Sequence, residues 1–412
     1  MSQQNPNIFS IVIPTYNRPL YIQSLLQNIS EDFSAITFGW EIIIGDNSDN
    51  SETEKIVKTF SEKLPVVYHK HSCNLGPAKN LAFCVKKATG LYSVYLADDD
   101  RLDGPMLLEH IRYLIENPIY AAVYAPWKIK NLKNLEEREQ QFYYQDQNIS
   151  VKKNFYHDLI DTISSYQIFP EICIVKSSIY KLAAELFCAL DTPITFFHFK
   201  LCSDLLRFGN ILFAKDPFYV SVTQHPHEEQ RREQLGLSQT EIGWDMYRGG
   251  LEYLTGLARS SLTPERLSKI EKNCNHIVNQ RMLVALRLRL HKPYGYQESY
   301  FLAARLRGLG LESKLPLNFA TIRDLAILEL IAKIIPEENE NRRIITFGSF
   351  DQKILNKLAQ ISNLPLVKYV DNLPLEKSDL IFCKSDTDAS LLPAAASDCV
   401  VINEAHLILL MP

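Results

Sequence analysis

Residues 91–100 read LYSVYLADDD, an apolar run from Leu91 to Ala97 that ends abruptly in Asp98-Asp99-Asp100. A run this short, entered from Gly90, is the pattern of a strand buried on both faces. Open α/β sheets hold their ligands beyond the carboxyl ends of the strands, which is where the three carboxylates fall. Adjacent carboxylates repel one another unless a cation sits among them. Mg²⁺ or Mn²⁺ takes oxygen ligands and binds through one or two carboxylates plus substrate phosphates, so the triplet points to a diphosphate-bearing ligand. Read alone, it is equally an acidic turn capping the next helix.

Upstream, Phe9 to Pro14, Glu41 to Gly45 and Val66 to His69 are three more apolar runs, each followed by a polar loop and a helical period. That alternation predicts βα units feeding a parallel sheet. Asn17 is expected to cap the first helix with Pro19 in its first turn, and Ser51 with Glu54 forms a capping-box pattern for the second. Pro77 opens a third helix and Gly90 ends it. Two loops therefore share the sheet edge with the aspartates: Pro14-Thr15-Tyr16-Asn17-Arg18 and Asp46-Asn47-Ser48. A carboxylate at Asp46 suits the imide N–H of a uracil or a pair of ribose hydroxyls, with Thr15 and Tyr16 flanking the base. Arg18 suits a phosphate, met as a planar fork. Either loop alone is an ordinary strand-to-helix turn; their common location gives them weight.

The stretch Phe9 to Arg18 (FSIVIPTYNR) resembles the opening strand of family 2 glycosyltransferases of the GT-A fold. Further motifs follow in the family's order: Glu41 to Ser48 (EIIIGDNS) for its second strand and nucleotide-binding acid, then Asn74-Leu75-Gly76-Pro77-Ala78-Lys79-Asn80 with Ala88-Thr89-Gly90. The aspartate triplet falls where the family carries its DXD metal motif. The resemblance implies a mixed, Rossmann-like sheet and a nucleotide-sugar donor, a UDP-sugar first of all. It assigns Pro14, Thr15, Tyr16, Asn17, Arg18, Asp46, Asn47, Lys79, Asp98 and Asp99 to the donor. Asp98, Asp100 and a late histidine, His225 with His227 as fallback, would hold Mn²⁺ or Mg²⁺.

The segment Leu205 to Asn210 through Asp216 to Tyr219 is similar to the family's late helix and the strands after it. Inverting members carry a Glu-Asp pair at the start of that helix, whereas Phe197-His198 stands there in this sequence. An imidazole with a pKa of about 6.5 can take the acceptor proton. His198 is therefore a candidate base, with Asp191 and Asp204 as competitors if the register slips. The implied activity is metal-dependent transfer of a sugar to a saccharide or lipid-linked acceptor hydroxyl, with inversion, in surface polysaccharide synthesis. The missing pair leaves open an inactive nucleotide-sugar or saccharide-binding module of the same fold.

Beyond residue 104 the pattern predicts a helix over 105–117, a strand over 121–125, and a charged, Gln-rich surface excursion over 128–150. Alternation resumes from 153 to 224 and breaks at 225–237. Residues 240–335 read as helical, with Arg281, Arg287, Arg289, Lys292, Arg305, Arg307 and Lys314 offering peripheral contact with an anionic membrane through 281–314, or simply solvated helix faces. From Arg343 a small Rossmann-like half-domain closes the chain. It has one glycine after its first strand, Gly348, far short of G-x-G-x-x-G, and reads as a packing domain. The expected division is 1–235, 236–338 and 339–412.

Composition sets the outer limits. The 412 residues are 46% hydrophobic and 22% charged with a net charge of −4, which fits a globular chain and gives no overall positive field for nucleic acid. Eight cysteines are scattered without metal-ligand spacing and read as reduced thiols. No apolar run reaches the roughly 18 residues of a bilayer span, and the polar start lacks a signal-peptide pattern, so a cytoplasmic location is expected. A phosphate loop, a nucleophile elbow and an H-E-x-x-H zinc pair are all missing from the sequence.

Overall fold

The structure, a computed structural model, describes residues 8–33, 36, 38–134, 140–189, 194–224, 239–292, 295–334, 343–350, 352, 355–356, 359–360, 364–371, 373–376, 379–384 and 390–403. It divides into two units, Met1–Leu237 with Asp245–Val278, and Ser238–Trp244 with Asn279–Pro412.

The strands of the first unit are β1 (Phe9–Thr15), β2 (Trp40–Asp46), β3 (Val66–Lys70), β4 (Tyr92–Tyr95), β5 (Arg101–Leu102), β6 (Tyr120–Tyr124), β7 (Trp127–Asn131), β8 (Gln140–Gln141), β9 (Ile149–Val151), β10 (Cys173–Lys176), β11 (Asn210–Phe213) and β12 (Tyr219–Gln224). Helices α1 (Pro19–Asp32), α2 (Glu52–Phe60), α3 (Pro77–Lys87), α4 (Gly104–Glu116), α5 (Tyr156–Tyr166), α6 (Ser177–Ala189) and α7 (Ile194–Phe208) connect them. An eight-stranded sheet runs in the order β3-β2-β1-β4-β10-β6-β11-β9. Its β3, β2, β1 and β4 are parallel, while β10 is antiparallel to both β4 and β6. This mixed α/β sheet is the fold class that the resemblance implies.

Ile11, Val12 and Ile13 of β1 and Ile42, Ile43 and Ile44 of β2 are all buried, which is why these strands read as continuous apolar runs rather than alternating ones. Apolar faces of α1 (Ile22, Leu25, Leu26, Ile29) and α3 (Leu81, Cys84, Val85) are buried as well. At the amino ends of β1 and β2, Ser10 Oγ donates to Glu41 Oε1 at 2.6 Å, and the same oxygen accepts from the Thr89 N–H and hydroxyl. A Cβ at Gly90 would stand 2.6 Å from the backbone carbon of Phe9. The Ala88-Thr89-Gly90 half of the motif thus fastens the sheet at the end opposite the aspartates.

A second sheet, β5-β12-β7-β8, begins directly after the triplet, with β5 antiparallel to β12 and β12 parallel to β7. It builds part of the expected 128–150 excursion into β7 and β8, and β9 becomes the edge of the large sheet. Only Trp127 of β7 is buried, so the strand carries little apolar signal. Three smaller expectations change too. The residue at the helix boundary before α1 is Arg18, not Asn17; Ser51 makes no side-chain cap, and Asn50 Oδ1 instead accepts the Glu52 N–H at 3.0 Å. Strand β4 stops at Tyr95, and α3 ends at Lys87, ahead of Gly90.

In the second unit, helices Tyr296–Gly308 and Phe319–Ile334 pack together. Buried Glu329 accepts the N–H groups of Gly295 and Gln297 at 2.8 and 2.9 Å, satisfying donors at the start of the first. Lys292 pairs with buried Glu241 at 2.7 Å, Arg305 lies over the Trp244 ring, and Arg307 pairs with Glu312. A parallel sheet β14-β13-β15-β16 follows, made of β13 (Ile344–Phe347), β14 (Leu366–Lys368), β15 (Leu380–Cys383) and β16 (Val400–Asn403). Ile345, Ile381, Cys383 and Ala396 form its core, and Arg343 pairs with buried Asp379 at 2.8 Å.

Candidate active site

A cleft of about 950 Å³ opens where β1, β2 and β4 end, lined by Pro14, Thr15, Tyr16, Asn17, Arg18, Pro19, Asn47, Asn50, Asn74, Gly76, Pro77, Asn80, Tyr95, Ala97, Asp98 and Asp99. The three sequence-distant loops therefore meet.

The first loop turns through Asn17, whose φ of 52° is the left-handed conformation that asparagine tolerates. Its N–H donates to Ser48 Oγ at 2.8 Å, and its amide exchanges hydrogen bonds of 3.0 and 3.1 Å with Asp49. With a further bond from the Tyr16 hydroxyl, these donors hold the Asp49 carboxyl below its ordinary pKa. The first and second loops are thereby tied together.

Asp46 lies beneath the second loop with no exposed side-chain surface. Its carboxylate accepts the Ser48 N–H at 2.8 Å and the Tyr68 hydroxyl at 2.6 Å, with Lys70 Nζ at 3.7 Å. Lys70 also donates to the Ser48 and Asn50 carbonyls. Asp46 braces the loop, and Asn47 is the residue that lines the cleft. The Asn47 amide accepts the Leu75 N–H at 3.1 Å and donates to the Gly76 carbonyl, linking the third loop. Buried Asn80 donates to the Gly45 carbonyl at 2.8 Å and lies 3.0 Å from His71 Nε2 through its oxygen. Lys79 is exposed and is not among the lining residues.

The triplet is held from two sides. Asp98 accepts the Thr15 hydroxyl at 2.7 Å and Arg18 Nη1 at 2.8 Å, and the same guanidinium nitrogen lies 3.5 Å from Asp99. Asp100 accepts the Val222 N–H at 2.7 Å and the Tyr219 hydroxyl at 2.8 Å. Burial is the main reason that Asp98 is pushed up to about 6; the Asp99 charge adds to it, and Arg18 opposes it. Burial and Asp99 push Asp100 up to about 7 against its two donors. Arg18 loses some basicity to burial and regains more from Asp98 and Asp99, so its pKa is raised.

Among the described residues, no three His, Cys, Asp or Glu side chains gather into a self-sufficient metal cage. The donor set nevertheless fits a hard divalent cation completed by phosphate oxygens, since buried Asp98 and half-buried Asp100 are oxygen donors with excess negative charge around them. Each of their oxygens accepts one hydrogen bond and keeps a lone pair.

His198 sits in α7 at the edge of the Phe169 ring, with Nε2 4.0 Å from Glu171 Oε1, and burial pushes its pKa down to about 4. Asp204, one and a half turns later, pairs with Lys200 at 2.5 Å. Asp191, His225 and His227 lie outside the described residues. Tyr219 and Glu171 escape sequence reasoning. A tyrosine on a strand signals packing, and Glu171 stands in no motif.

Residues 10–176 match the family model described as glycosyl transferase family 2. The chain is similar to the abequosyltransferase RfbV of Salmonella typhimurium, 34% identical over 97 residues that make up 23% of this chain and 29% of the relative. It is also similar to the poly(ribitol-phosphate) β-N-acetylglucosaminyltransferase TarS of Staphylococcus aureus, 28% identical over 111 residues, 26% of this chain and 19% of that one. The chain thus spans less than a third of the length of either relative. Among solved structures, that of S. aureus TarS 1–349 with UDP-GlcNAc aligns over 78% of this chain and 85% of that one at 16% identity and a TM-score of 0.46.

Proposed function

We propose that the protein, whose residues 10–176 match the family model described as glycosyl transferase family 2, moves a sugar from a nucleotide-diphosphate sugar, a UDP-sugar first of all, to a hydroxyl of a saccharide or lipid-linked acceptor. The single observation that carries this reading is the convergence of the PTYNR loop, the Asn47 loop and the aspartate triplet on one cleft. The relatives' own names, an abequosyltransferase and an N-acetylglucosaminyltransferase, support surface polysaccharide synthesis as the setting.

In this reading the loops from Pro14 to Arg18, Asn47 and Asp99 receive the donor, Asp46 holds their shape, and Lys79 stands at the rim. Asp98 and Asp100, with His225, would hold Mn²⁺ or Mg²⁺, which offsets charge on a departing diphosphate. Arg18, already between Asp98 and Asp99, adds a fixed positive charge at the same place. Transfer proceeds with inversion, in line with the leaving group. The catalytic part is assigned to residues 1–235, the helices to 236–338 and the closing sheet to 339–412.

Thermal unfolding against UDP-, GDP-, CMP- and dTDP-sugars, each with and without Mn²⁺, tests the proposal. A ligand confined to the native state raises the melting temperature with its concentration over Kd. A metal-requiring shift for one nucleotide class is expected; the absence of any shift refutes the donor site. Asp100→Ala should abolish both that shift and transfer while the fold persists.

Among the described residues no helix is long and apolar enough to cross a membrane. Exposed Val284 and Leu288 beside exposed Arg287 support peripheral attachment through 281–314. Failure to co-sediment with phosphatidylglycerol vesicles removes that part of the reading.

A further inference from the structure

The transfer proposed above needs a group to accept the acceptor's proton, and among the described residues the start of α7 offers only His198. That ring is a poor base near neutral pH, because burial leaves it without basicity until about pH 4. Asp204 is held by Lys200. A carboxylate does reach this place from a different element. Glu171 precedes β10 by two residues, and its Oε1 lies 4.0 Å from His198 Nε2.

Three observations set Glu171 against the donor cleft. Strand β10 runs antiparallel to β4 with Ile174 opposite Val94, Val175 opposite Ser93 and Lys176 opposite Tyr92. The pairing ends at Ile174 opposite Val94, so Glu171 enters β10 from the end of β4 at which Tyr95, Ala97 and the aspartate triplet follow. The Glu171 side chain is 34% exposed, so it is open to an incoming molecule as the less exposed His198 ring, at 12%, is not. Tyr95 lines the cleft, and Glu171 is the strongest of the charges acting on its phenol, ahead of Asp100, Asp98 and Asp99.

We infer that Glu171 is the catalytic base, receiving the proton of the acceptor hydroxyl at the cleft edge beside Tyr95. The acceptor O–H bond breaks toward the Glu171 carboxylate, and the acceptor oxygen forms its bond to the anomeric carbon. The bond from that carbon to the diphosphate oxygen breaks, and its electron pair leaves with the nucleoside diphosphate.

This inference rests on the proposed donor reading, and the experiment separates the two. Release of UDP from UDP-GlcNAc, UDP-glucose and UDP-galactose with Mn²⁺ is followed with water as acceptor, in native protein, Glu171→Gln, Glu171→Asp and His198→Asn. Thermal shifts with UDP and Mn²⁺ are read on the same samples. Glu171→Gln is expected to lose at least 100-fold in kcat while keeping its UDP–Mn²⁺ shift, and Glu171→Asp to retain part of the rate. A Glu171→Gln protein that releases UDP at the native rate overturns the inference and leaves the donor reading standing. So does a loss confined to His198→Asn. Native protein that neither shifts with UDP nor releases it sinks the donor reading, and this inference with it.

Discussion

The Tyr219 hydroxyl donates to Asp100 Oδ2 at 2.8 Å and at the same time accepts the Ala97 N–H at 3.2 Å. One side chain from β12 therefore fixes both the last carboxylate of the triplet and the backbone just before it. The arrangement explains why the second sheet starts immediately after Asp100: pairing of Tyr219 with Leu102 brings the phenol to the triplet.

Tyr219→Phe removes that hydroxyl and leaves the half-buried Ala97 N–H without it. A loss of about 0.5–1.5 kcal/mol in unfolding free energy is expected, the net worth of a typical hydrogen bond. Asp100 keeps the Val222 N–H but loses orientation, so the Mn²⁺ concentration needed for the donor-induced thermal shift should rise by about 10-fold or more. Chemical denaturation and a metal titration measure the two effects. An unchanged titration would mean that Asp100 does not hold the metal.

The raised pKa values of Asp98 and Asp100 make a prediction with a definite sign. Their folded values, about 6 and about 7, exceed the unfolded value near 3.8, so the folded state holds protons more tightly. Their contribution to stability is complete below about pH 4 and is lost as pH rises through 6 to 7. In chelator-treated buffer, the stability of Asp100→Asn relative to native protein should therefore rise between pH 5 and pH 8. Paired melting curves across that window check it, and a flat difference would contradict the burial of an uncompensated charge.

His198 carries the opposite sign. Burial holds its folded pKa at about 4, below the unfolded 6.5, so the unfolded state binds the proton more tightly. Its contribution is present above pH 6.5 and is lost as pH falls toward 4. His198→Phe, which suits a ring packed against Phe169, should gain on native protein over that interval. The gain is of order 3 kcal/mol at the acid end. Urea unfolding at pH 7 and pH 4.5 compares the two proteins.

The parallel half of the sheet was legible because β1 and β2 are buried on both faces, a condition that leaves an unbroken apolar run in the sequence. The antiparallel β10 and the thin strands β7 to β9 were harder to read, since their pairing depends on partners about 60 to 90 residues away in the chain. At the site, motifs located the loops but not the division of labour within them. Asp46 and Asn47 are neighbours of similar shape, and only the positions of Tyr68 and Lys70 turn the acid inward and leave the amide at the cleft. Asn80 is legible as the last position of the Asn74 to Asn80 motif, yet its bond to Gly45 is a tertiary fact.

That bond supports the last prediction, which concerns a residue with no functional group. A Cβ at Gly45 would stand 2.2 Å from Asn80 Oδ1 and 2.6 Å from Cys84 Sγ, so α3 approaches β2 as closely as it does only because Gly45 has none. Gly45→Ala must push α3 outward or break the Asn80 bond to the Gly45 carbonyl. Either course loosens the loop from Asn74 to Pro77, which forms one wall of the cleft. Overpacking of this kind costs about 1–3 kcal/mol, and donor affinity should fall although position 45 itself does not line the cleft. Calorimetric titration of UDP with Mn²⁺, run beside urea unfolding, distinguishes the two effects. A destabilised protein with native affinity would show that the α3 loop does not shape the donor site.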